Sequence, residues 1–176
     1  MWRASTEWRS VHTGKGFLAC LVFTVGCGSL AGSPDTESIS PWQLEVRRAD
    51  QSLVAAVVLP ADGVWCMGWN HSVAGFPVSD CYGVADGTLR LESSHQPDFA
   101  AGLGHIEGRG RMESDGEGGY RILDINESVP GNAYWLRVGA LTVNHRIVTD
   151  DNEVSLSALA AGERVEVRLV KRLPDR

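Results

Sequence analysis

From Trp42 onward, apolar and polar residues alternate with a period of two. Trp42, Leu44 and Val46 are separated by Gln43, Glu45 and Arg47, the pattern of a strand with one buried face. Ser52–Leu59 is a continuous run rich in Val and Ala, and Val64–Asn70 follows an Ala-Asp-Gly turn. Val78–Val84 comes next, and Leu89 and Leu91 follow Asp86-Gly87, a dipeptide suited to a two-residue hairpin turn. Tyr120–Ile125 comes after the Gly-rich tip at 115–119, and Ala133–Val138 after Pro130-Gly131-Asn132. Asn144–Thr149 and Arg164–Val170 complete the series. The one candidate helix surrounds Ser155–Ala161, where Leu156 and Leu159 are three apart and Gly162 can end it. About eight to ten short strands at this spacing predict an all-β fold, an antiparallel sandwich or barrel with little helix.

Upstream of Trp42 the pattern is different. Arg3, Arg9 and Lys15 precede an uncharged run from Gly16 to Ser33 that contains Phe17, Leu18, Leu21, Val22, Phe23 and Val25, the profile of an export signal. Its apolar core is interrupted by Gly26 and Gly28, well short of the roughly 20 residues of a membrane-crossing helix. Val25-Gly26-Cys27 resembles the bacterial lipoprotein processing motif, in which the cysteine is acylated and becomes the mature N-terminus. Ser29-Leu30-Ala31 offers a competing cut for an ordinary signal peptidase, and an uncleaved anchor is the third option. Residues 1–31 are therefore expected to be leader or anchor, 32–41 a Ser- and Pro-containing spacer, and 42–172 a single β domain. The expected location is the periplasm or the outer face of a membrane, with a lipid on Cys27 as the tether.

Export changes the reading of the cysteines. Cys20 falls in the leader, which leaves Cys66 and Cys81 in the domain. If Val64–Asn70 and Val78–Val84 form a hairpin around the 71–76 loop, these two lie opposite each other and a disulfide can close in an oxidising compartment. The alternative is two separate buried thiols. No Cys-x-x-Cys spacing points to a metal site, and no cofactor motif is expected.

The 176 residues carry 16 Lys and Arg against 22 Asp and Glu, a formal charge of -6. A leader holding Arg3, Arg9 and Lys15 against Glu7 leaves the remainder at -8, which argues against a nucleic-acid partner. The acidic clusters at 115–117 and 150–153 lack the alternating ligands of a calcium loop. Gly102-Leu103-Gly104 and Gly108-Arg109-Gly110 lack the third Gly and the helix of a dinucleotide site. His71 and Ser72 are adjacent, and on an extended strand they would face opposite ways, unsuited to a base and nucleophile pair. His71, His95, His105 and His145 show no ligand spacing.

One ordered set of residues stands out: Trp69-Asn70-His71-Ser72-Val73, then Pro77-Val78-Ser79-Asp80 and Tyr82, then Ala101-Gly102-Leu103, then Arg137-Val138-Gly139 with His145. In order and spacing it resembles DUF1850, a bacterial family of unknown function. Here Ala100 and Gly104 replace the usual Gly and Pro beside the Gly-Leu loop, and Asp80 stands for the more usual Glu. The resemblance implies a short exported or membrane-anchored protein, often encoded near TRAP-type solute transporters, with no established activity. It sets the expectation of a non-enzymatic accessory protein that binds a transporter component or its organic-anion solute through His71, Ser72, Asp80, Arg137 and His145. In that set Arg137 would grip a carboxylate or, alternatively, pair internally with Asp80. A structural envelope lipoprotein without a small-molecule site is the second expectation, and a hydrolytic or metal enzyme using His71, Asp80 and His145 the third.

Overall fold

The computed structural model describes residues 40–96, 107–116 and 118–172. The expected leader with Cys20 and Cys27, most of the spacer, Ala101-Gly102-Leu103 and His105 lie outside the described residues.

Among the described residues there are twelve strands and one short helix: β1 Trp42–Arg48, β2 Leu53–Val58, β3 Trp65–Asn70, β4 Pro77–Ala85, β5 Thr88–Gln96, β6 Arg111–Ser114, β7 Tyr120–Leu123, β8 Glu127–Ser128, β9 Ala133–Arg137, β10 Arg146–Val148, β11 Glu153–Ser155, α1 Leu156–Ala160 and β12 Arg164–Lys171. They form two antiparallel sheets, ordered β2-β1-β12-β9 and β11-β10-β3-β4-β5-β7-β6, with β8 beside β5. Neither sheet closes, so of the two expected all-β architectures the structure takes the open one. The strands expected from alternation, apolar runs and turns are all present. Those missed are β6, β8 and β11, each four residues or fewer. β6 is exposed at every position and so writes no alternation.

Period-two patterning explains the interior. Leu44 and Val46 of β1 and Val165, Val167 and Leu169 of β12 meet Trp65 and Met67 of β3, Tyr82, Leu89 and Ile147 in one core. Each fully buried aliphatic contributes roughly 1.5–3 kcal/mol. The intervening residues of the smaller sheet turn outward, where Glu45 pairs with Arg47 and Glu166 with Arg168. The β4–β5 hairpin closes on Asp86 and Gly87, both at positive φ, the backbone of a two-residue turn whose twist matches its strands. Ser155 caps α1 by accepting from the Ala158 N–H at 3.2 Å.

Register separates the two ends of the domain. Trp42 lies opposite Lys171, and Arg48 opposite Val165. Trp42 also packs beside Gly87 at the β4–β5 turn. The chain therefore enters its first strand at that end. At the other end β3 finishes with Asn70 opposite Pro77, β10 starts with Arg146 opposite Gly68, and β9 finishes with Arg137 opposite Arg164.

Candidate functional site

Both loops at this far end carry residues of the sequence motif. In the 71–76 turn, the His71 N–H donates to the Phe76 carbonyl at 2.8 Å and the Gly75 N–H to the His71 carbonyl at 2.9 Å. The Nδ1 of His71 accepts the Ala74 N–H at 3.1 Å, and its ring stacks on Phe76 with centroids 4.9 Å apart. An accepting Nδ1 carries no proton, so the neutral ring holds its proton on Nε2. His71 and Ser72 thus sit in a tight turn rather than on an extended strand, which corrects the geometry expected for them. His71 organises the loop, and Ser72 and Val73 are carried out into solvent.

The second loop, 138–145, joins the smaller sheet to the larger. The Gly139 N–H donates to Nδ1 of His145 at 2.8 Å. Ser157 ties both residues together, accepting the His145 N–H at 2.9 Å and donating to the Gly139 carbonyl at 2.9 Å. A Cβ at position 139 would meet the side chain of Val143 at 2.7 Å, so the motif's Gly allows the loop to fold back on itself. The His145 ring stacks against Trp69, 6.1 Å between centroids, and burial depresses its pKa. Asn70 joins the two loops: its N–H donates to the Val143 carbonyl at 2.6 Å and its side chain to the Thr142 carbonyl at 3.1 Å.

Asp80 and Arg137 are elsewhere. Asp80 lies mid-strand on β4, between Met67 and Ser94, on the same inward side as Val78 and Tyr82. Burial raises its pKa, partly offset by the Ser94 hydroxyl and the Arg109 guanidinium. Arg137 is exposed at the end of β9, in the other sheet. Among the described residues no ion pair joins it to Asp80. Of the five expected site residues, the structure gathers His71, Ser72 and His145 at one end and leaves Asp80 and Arg137 apart.

Beside Asp80, the Trp65, Tyr82 and Tyr134 rings stack between the sheets, with centroids 4.6 Å and 5.8 Å apart. Burial and the nearby Asp80 push the Tyr82 pKa up to about 12. The Tyr134 hydroxyl lies by that of Tyr82 without reaching hydrogen-bond geometry, and among the described residues neither it nor the Trp65 indole N–H has a hydrogen-bond partner. Such phenols stay protonated at neutral pH and serve as packing. Among the described residues no three His, Cys, Asp or Glu side chains gather as a metal site.

Cys66 lies directly opposite Cys81, and the two are joined, with Cα atoms 4.0 Å apart. The hairpin expected from the sequence forms with this pair in register. What sequence reading missed is the exposure of apolar side chains at the loop tips. Val73 and Leu141 are 90% and 68% exposed, and the only sequence signal for them is a large apolar residue inside a turn that offers no buried face.

A family model for a domain of unknown function, DUF1850, matches residues 66–156. The matched stretch begins at the first disulfide cysteine and includes both far-end loops. No curated protein and no solved structure matches the chain. The chain belongs to the DUF1850 family.

Proposed function

We propose that the protein is an exported, membrane-tethered, non-enzymatic accessory protein that docks a component of a TRAP-type solute transporter through its 71–76 and 138–145 loops. One observation carries the reading: two loops rich in motif residues, each closed by its own hydrogen bonds and linked through Asn70 at the end of β3, present Val73 and Leu141 to solvent. They do so at the end opposite the one where the chain enters β1. Loops already fixed by hydrogen bonds lose little conformational entropy on binding, and apolar tips supply the area that a protein partner buries. β4, nine residues long, spans about 30 Å at 3.3 Å per residue, which is the separation between the loops and the end where the chain enters β1.

The same geometry favours a protein partner over a small solute at these residues. His71 and His145 each commit Nδ1 to a backbone N–H, so neither imidazole presents that nitrogen to a ligand. With Asp80 turned inward and Arg137 on the other sheet, the described motif residues do not gather around one anion.

The test is co-purification of the full chain with the subunits of a TRAP-type transporter encoded beside it. Val73→Asp combined with Leu141→Asp should abolish recovery of those subunits while leaving the melting temperature unchanged, because both side chains are exposed. Undiminished recovery would sink the docking reading. Cys27→Ser with unchanged membrane fractionation would remove the lipid tether from it.

A further inference from the structure

Where β4 sends Val78, Asp80 and Tyr82 inward, it sends Ser79 and Cys81 to the outer face of the larger sheet. Ser79 lies opposite His95 on β5, and His95 opposite Arg121 on β7, so these three side chains form one row across three strands. Cys81 lies opposite Ser93 in the next row. Three small side chains flanked by His95, Arg121 and Leu123 leave a groove of about 320 Å³ in this face, at the small end of ligand clefts.

The groove has defined polarity. The Nε2 of His95 lies 3.0 Å from Oδ2 of Asp115. A carboxylate only accepts, so Nε2 carries the proton and Nδ1 of the neutral ring is left as an acceptor. Arg121 is exposed and, among the described residues, its guanidinium takes part in no ion pair or hydrogen bond. Its cross-strand neighbour Glu113 is occupied by Arg111. The groove therefore combines one guanidinium without a partner among the described residues, one oriented imidazole acceptor, the hydroxyls of Ser79 and Ser93, and an apolar wall from Leu123 and the disulfide.

We propose that this groove binds a small hydroxylated carboxylic acid, its carboxylate on Arg121 and its hydroxyl donating to His95. A guanidinium grips a carboxylate bidentately, and the serine hydroxyls supply further donors. Arg121 and His95 stand on neighbouring strands, which suits a carboxylate and a hydroxyl on separate carbons better than phosphate, whose oxygens share one phosphorus. The site lies on a sheet face and stands or falls independently of the loop docking above.

The experiment is titration calorimetry on the full chain in mild detergent at pH 8, above the usual imidazole range of about 6.5, with malate, succinate and inorganic phosphate as probes. Malate should give saturable heat, and succinate, which lacks the hydroxyl, should bind about tenfold more weakly. Arg121→Ala should abolish the malate signal, whereas Arg137→Ala should leave it unchanged. Ser93→Leu, which fills the groove, should abolish it as well, with a melting temperature close to that of the parent as the folding control. No saturable heat with malate up to about 10 mM, unaltered malate binding by Arg121→Ala, or phosphate binding as tightly as malate would each overturn the proposal.

Discussion

The imidazole of His145 is held by the backbone of Gly139, whose N–H donates to Nδ1 at 2.8 Å. Six residues apart in sequence, the two close the loop that carries the chain from one sheet to the other, and Ser157 of α1 locks them from the far side. The family motif Arg-Val-Gly…His is thereby given a mechanical meaning. It describes a loop closure, and the closed loop leaves Leu141, between the Gly and the His, exposed.

That closure should depend on pH. Burial lowers the His145 pKa, so the folded chain favours the neutral ring that can accept the Gly139 N–H. The stability contributed by this residue is fully present above the unfolded value of about 6.5 and is lost as pH falls through the lower folded value. His145→Gln should cost about 1 kcal/mol at pH 8, and the gap to the parent should shrink by pH 5 in urea denaturation. An equal gap at both pH values would contradict the assignment.

Gly139→Ala places a methyl group against Val143, 2.7 Å from where its Cβ would stand. A loss of about 1–3 kcal/mol is expected, read as a lower denaturation midpoint. Adding Val143→Ala should recover part of it, since the clash is with that side chain.

Asp80→Asn should stabilise the protein at neutral pH. Burial raises the pKa of Asp80, so its favourable contribution exists below the unfolded carboxylate value and disappears as pH rises through the folded one. The melting temperature of the Asn variant should exceed the parent's by about 2–4 °C at pH 7 and match it near pH 3. A lower melting temperature at pH 7 would show that the carboxylate is held by a stabilising partner.

Reduction of the Cys66–Cys81 bond, which closes a separation of 15 residues, should cost about 3 kcal/mol. Denaturation with and without reductant measures this directly, and thiol titration of the unfolded, unreduced domain should find both cysteines blocked.

The positions of the strands were largely legible because their cause is local. A half-buried strand must alternate, and 42–47 and 164–169 do, while 133–138 is marked by the Pro-Gly-Asn turn before it. The pairing of Cys66 with Cys81 was equally legible, since a hairpin with a loop of known ends fixes its own register. Strands of two to four residues without a buried face, such as Arg111–Ser114, leave no such trace.

The site was less legible. The sequence places His71, Ser72, Asp80, Arg137 and His145 in one motif, yet alternation states only that a side chain points to one of two faces. It does not say which sheet the strand joins. Arg137 leaves the set because β9 pairs with β12 in the smaller sheet, a contact across 27 residues at Arg137 and Arg164 that no local pattern encodes. By the same long-range register, Ser79, His95 and Arg121, which share no motif, are brought into one row. Hydrophobic period, turns and the hairpin were thus determined by the sequence itself, because burial and short loop closure act locally. Which polar groups meet was decided only by tertiary pairing, because hydrogen-bonded register between distant strands sets the distances on which recognition depends.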